Sequence, residues 1–241
     1  MALTKAEQYF ERCVVDDLDI ITGIGELAVK DVKRYFNIKL GTYKVPIAIY
    51  SLVFECILKH LKSLQKTKES HSIIIANRLE IGFTTSFETE ENSDLEKFGN
   101  FSIYMKHIHN NKLTEVDEYE KKTLTRCVQW NESNITTSIN DIKDITKMAM
   151  DKMSSELDIQ LVNPEIIMPI FCTIHDDIIN YTMLKYKSEE NEDSYGLSAD
   201  IAGCYRIYIM QLEDGMDISF KPGVYSKGTI KEDGDATTKH E

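Results

Sequence analysis

DLDIITGIGELAVKDV, residues 16–31, decides between two folds. Gly23-Ile24-Gly25-Glu26-Leu27-Ala28 carries the G-x-G-x-x-A spacing of a dinucleotide-binding turn, which would make the chain a doubly wound α/β protein. A working turn needs a strand before it, a helix after it and an acidic residue about 20 positions on to hold the ribose. Only Leu18–Ile21 is available as the strand, and no Asp or Glu falls between Asp31 and Glu55. Helix-patterned sequence occupies the place of the second strand. We therefore read the glycine pair as a helix break. A first helix is expected over 4–17, opened by a Thr4/Glu7 capping box, and a second over about 25–36.

Downstream of this stretch the periodicity is helical, then strand-like, then helical again. Gly41 and Pro46 punctuate a junction, after which 46–66 repeats Ile47, Tyr50, Ser51, Phe54, Ile57, Leu58, Leu61 and Leu64 on one helical face. The period then falls to two. Leu79, Ile81, Phe83, Thr85 and Phe87 alternate with polar or small residues, as do Phe101, Ile103 and Met105. ETEENSDLEKFGN, 88–100, separates them as an exposed acidic loop, so a long hairpin with one face on the helices is expected. Helices return at about 114–131 and 137–158. A further one, to about Lys187, opens on Asn163 as N-cap and Pro164 as first residue. CYRIYIMQLEDGMDISF, 204–220, alternates around Asp214-Gly215, a second hairpin signal. The fold class is thus α+β: a helical body with one or two antiparallel β-hairpins. We expect one domain over 1–220 and an extended C-terminal arm over 221–241, too polar to order by itself.

The 241 residues carry a net charge of −12, which disfavours non-specific binding to nucleic acid. One basic cluster, Lys59, His60, Lys62, Lys66 and Lys68, reads as favourable charge at a helix C-terminus. Cysteines 13, 56, 127, 172 and 204 lack any C-x-x-C spacing and are expected as reduced, mostly buried thiols. MALTKAEQYF has no apolar h-region, and no apolar run is long enough to span a bilayer, so a cytoplasmic site of synthesis is expected.

Few residues suggest chemistry. In TIHDDIINY, 173–181, His175 and Asp176 resemble the central pair of HD-type metal-dependent phosphohydrolases. No histidine lies between His109 and His175 to act as the upstream ligand. The apolar stripe Ile167, Phe171, Ile174, Ile178 and Tyr181 leaves His175 at its border and turns Asp176 to solvent. A boundary histidine beside two exposed acids is the expectation. His107 and His109, with Glu115 or Asp117, suit a metal no better than a polar strand end. Trp130 reads as a packing residue. There is no G-x-S-x-G, Walker A or H-E-x-x-H motif, so no catalytic, cofactor-binding or metal residue is assigned.

LEKFGNFSIYMKHI (95–108) and YIMQLEDGMDISFKPGVYSKGTI (208–230) resemble virion proteins of the crAss-like tailed phages of gut bacteria. The resemblance implies a non-enzymatic, ring-forming subunit of the head–tail connector or tail barrel, assembled in the host cytoplasm and resident in the virion. Its partners would be further copies of itself and neighbouring virion proteins such as the portal or another ring. DNA would pass as a non-sticking cargo, and no membrane is involved. On this reading Phe220, Lys221, Tyr225 and Ile230 dock on a neighbour, as extended segments do along another chain's edge. Glu88, Glu90, Glu91 and Asp94 would line a lumen or an inter-ring contact. The rivals are a phosphohydrolase centred on His175 and Asp176, and a cytoplasmic adaptor for one protein partner.

Overall fold

The computed structural model describes residues 3–14, 18–84, 96–98, 101–107, 122–188, 197–201, 205–212 and 215–222. The chain is α+β, with six α-helices and seven strands among these residues. The helices are α1 (Lys5–Cys13), α2 (Leu18–Phe36), α3 (Lys44–Leu64), α4 (Thr123–Asn134), α5 (Ile139–Lys152) and α6 (Ile167–Ser188). Strands β1 (Ser70–Ile75), β2 (Leu79–Thr84), β3 (Glu96–Phe98) and β4 (Phe101–His107) form one antiparallel sheet in the order β1-β2-β4-β3. Strands β5 (Leu197–Ile201), β6 (Tyr205–Leu212) and β7 (Gly215–Pro222) form a second, in sequence order.

The stretch that opened the reading is one uninterrupted helix. Leu18–Ile21, the candidate strand, forms the first turn of α2, and Gly23 and Gly25 lie inside it without positive φ. The expected break is therefore corrected, and close packing is the reason for the glycines. A Cβ on Gly23 would sit 2.1 Å from Cζ of Tyr181 on α6, and one on Gly25 would sit 2.3 Å from the carbonyl oxygen of Tyr43. The glycines let α2 approach α6 and the start of α3 more closely than any side chain would allow. Among the described residues Gly41, at φ 74, is the glycine whose conformation is left-handed.

Helix α3 is the centre of the molecule, with α1, α2, α5 and α6 all packed on it. The single-stripe expectation understates it, because Ala48, Ile49, Leu52, Val53 and Cys56 are buried along with the stripe, of which Leu58 and Leu64 are only partly covered. A helix that is apolar on most sides is one that neighbours surround. Pro46 is tolerated because it falls in the first turn, where its missing N–H has no partner to lose. Asn163 caps the entry to α6 as expected, its side chain accepting from the Glu165 amide at 2.8 Å. A 3₁₀ turn, Pro164–Ile166, leads into the helix. The helix expected over 137–158 is α5 followed by a π-helical turn, Met153–Leu157.

In the first sheet β2 pairs with β4 from Leu79↔His107 to Thr84↔Ser102, which is the expected hairpin partnership. Ile73, Ile75, Leu79, Ile81, Phe83 and Met105 turn inward and join the helical core. Strand β1 was not expected. It meets β2 through a turn with Ala76 and Asn77 at φ 51 and 52, closed by the Arg78 amide donating to the Ile75 carbonyl at 2.9 Å. The second expected hairpin is β6–β7, closing at Leu212↔Gly215, and β7 approaches β4. β7 runs to Pro222, so Phe220 and Lys221, expected at the start of a free arm, pair with Ile207 and Arg206. Residues 223–241, Tyr225 and Ile230 among them, lie outside the described residues, as do Glu88, Glu90, Glu91 and Asp94; the last part of the expected acidic loop, Glu96–Phe98, is strand β3 and not loop. No helix of the described residues is long and apolar enough to cross a membrane.

Candidate functional site

The segment of α6 from Thr173 to Tyr181 holds the histidine and acids that the sequence singled out. The expectation that both acids face solvent is corrected. His175 is buried, Asp177 is 3% exposed, and the Asp176 side chain is 22% exposed. α6 is covered on more than one side, by α2, α3, α4 and α5. A single apolar stripe cannot report that, since it assumes one covered face.

Each of the three groups meets a partner on a different element. His175 Nδ1 lies 3.0 Å from the Tyr50 hydroxyl of α3, with the two rings stacked at 12° and 6.2 Å. Tyr50 also stacks on Phe171, one turn earlier on α6, at 4.6 Å. Asp176 faces Arg78 from the β1–β2 turn at 3.8 Å, an ion pair beyond hydrogen-bond distance. Burial raises the Asp176 carboxyl to about 6, and the Arg78 guanidinium opposes the rise. Asp177 faces Asp31 of α2. Burial pushes its carboxyl up to about 9, and the charge of Asp31 and a hydrogen bond to it push the same way. Oδ2 of Asp177 is buried with no donor in reach. The Asp177 carboxyl therefore keeps its proton at neutral pH, as a buried carboxyl facing another acid does.

A second cluster was not anticipated. Asp141, in the first turn of α5, accepts from His60 Nε2 at 2.9 Å and from His71 Nε2 at 3.0 Å. Lys68 donates to His71 Nδ1 at 3.1 Å, which fixes the tautomer with its proton on Nε2. Burial lifts the Asp141 carboxyl, but the hydrogen bonds from His60 and His71 outweigh it and hold the group below its ordinary value. The three residues come from α3, β1 and α5, so no local spacing announces them. His60 stood in the sequence only as a member of a lysine-rich helix end.

What these arrangements do chemically is fasten elements together. His175 and Tyr50 join α6 to α3, Asp177 and Asp31 join α6 to α2, and the Asp141 cluster joins α5 to α3 and β1. Among the described residues no group of three or more His, Cys, Asp or Glu is arranged to hold a metal ion. His107 ends β4 opposite Leu79, while His109, Glu115 and Asp117 lie outside the described residues. Trp130 is buried edge-on against Phe36 at 6.4 Å, the packing role expected of it. Burial raises the thiols of Cys13 and Cys56 to about 11 and that of Cys127 to about 12, far from nucleophilic at neutral pH. Comparison with known protein families, curated proteins and solved structures returns no match to this chain.

Proposed function

We propose that the chain is a non-enzymatic structural subunit of a tailed-phage virion. It forms a ring at the head–tail connector or tail barrel and docks on the portal or a neighbouring ring protein. One observation carries this reading. The two stretches that resemble virion proteins are separated by about a hundred residues, yet the first supplies β3 and β4, the second supplies the later part of β6 and all of β7, and β7 approaches β4. The likeness therefore gathers in one β region of the fold. The acidic balance of the chain supports it too, because like charge lets DNA slide past a ring instead of adhering. His175 and Asp177 join α6 to other helices and Asp176 joins it to the β1–β2 turn, which is a role a structural subunit requires.

The test is imaging of the full chain by electron microscopy, alone and mixed with a tailed-phage portal protein. Rotationally symmetric rings, alone or seated on the portal, are expected. Removing residues 223–241 should leave the body folded, since β7 ends at Pro222, and should weaken docking. Dispersed single particles in every mixture would end the proposal.

A further inference from the structure

We infer that the basic surface at the end of α3 is the contact through which one copy of this chain binds an acidic surface of the next. Lys59 and Lys62 stand three apart on α3 and so share a face. Lys66 and Lys68 continue the basic run through the turn that follows. All four are exposed, and no ion pair to any of them forms among the described residues. No acid interrupts the sequence between Glu55 and Glu69. Asp141, the carboxylate brought to this end of α3, is engaged on both oxygens by His60 and His71, so it leaves the lysines' charge standing.

The partner follows from the charge. The chain has 40 acidic residues against 28 basic ones and a net charge of −12, so another copy is on balance attractive to a basic patch. Lysines repel lysines, so this patch cannot sit on itself across a two-fold axis. It meets a different face of its neighbour, a contact that either repeats head to tail into a ring or filament or is exchanged reciprocally across a two-fold axis. Nucleic acid is the weaker occupant: the patch has neither arginine for bidentate phosphate contacts nor exposed aromatics for base stacking. This inference rests on the reading of the chain as a self-assembling subunit and names the surface that assembly uses.

The experiment is sedimentation velocity on the full chain and on two variants of equal net charge. The first reverses the patch (Lys59→Glu, Lys62→Glu, Lys66→Glu). The second reverses exposed lysines on and just after α2 (Lys30→Glu, Lys33→Glu, Lys39→Glu). The unaltered chain should self-associate at about 0.1 M salt and dissociate towards about 1 M, where the Debye length falls from about 10 to about 3 Å. Patch reversal should weaken association by about a hundredfold, and the control reversal should change it little. Equal weakening in both variants, or none with the patch reversed, would overturn the inference while self-assembly itself stood. A chain that stays monomeric throughout would remove the assembly reading along with it. Binding of an oligonucleotide by a monomeric chain, lost on patch reversal, would reassign the surface to nucleic acid and overturn the inference as well.

Discussion

Gly25→Ala is expected to destabilise the protein by about 3 kcal/mol and to lower its melting temperature by about 10 °C. The direction is opposite to the ordinary one. In an open helix the same change gains up to about 1 kcal/mol, because alanine orders at lower entropic cost than glycine. Here the new Cβ would lie 2.3 Å from the Tyr43 carbonyl oxygen, which is backbone and cannot rotate away. Tyr43 is itself pinned, its ring edge-on to Phe10 at 5.8 Å. Gly23→Ala should cost less, about 1 kcal/mol, because the obstacle is the far end of the half-buried Tyr181 ring, which can swing outward. Thermal or urea unfolding of both variants checks the order. A nucleotide-binding turn would give a different outcome, with both variants folded at full stability and a ligand lost.

Asp177→Asn should stabilise the protein at alkaline pH and flatten its stability against pH. A carboxyl raised on folding contributes its full stability below its unfolded pKa. That contribution is lost as pH rises towards the folded value, here about 9 against an ordinary 3.8. Between those limits the native state holds a proton that the unfolded chain has released. Asparagine keeps a donor towards Asp31 and has no proton to lose. At pH 8 the variant should exceed the unaltered chain by about 6 kcal/mol, and near pH 4 the two should converge. Asp176, raised to about 6, adds a slope of the same sign over the narrower window between its ordinary 3.8 and that value in both proteins. Urea unfolding at pH 5, 6.5 and 8 reads the difference. A constant offset across that range would show that Asp177 does not keep its proton.

The elements legible from sequence were those whose signals are local. Asn163 before Pro164, the apolar run of α3 and the Asp214-Gly215 turn each act within a few residues, and the structure has a helix or hairpin at each. The β1–β2 hairpin escaped because its turn places Ala76 at φ 51, where asparagine or glycine would have announced it. Continuity of α2 escaped because glycine signals a break only when nothing packs against it, and Tyr43 and Tyr181 are distant in sequence. The same holds for the site. His175 was found by its neighbours in the chain, but its partner Tyr50 is 125 residues away, and Asp141 lies 81 and 70 residues from His60 and His71. Such pairings are made by tertiary packing and leave no trace in spacing.

The account stands on the claim that this chain works by assembling with copies of itself and transforms no substrate. Native mass spectrometry of the full-length protein tests both halves in one spectrum. The account predicts a discrete multiple of the subunit mass, formed alone or on the portal, with no metal adduct. A monomer under every condition, carrying a divalent ion that His175→Ala removes, would contradict it.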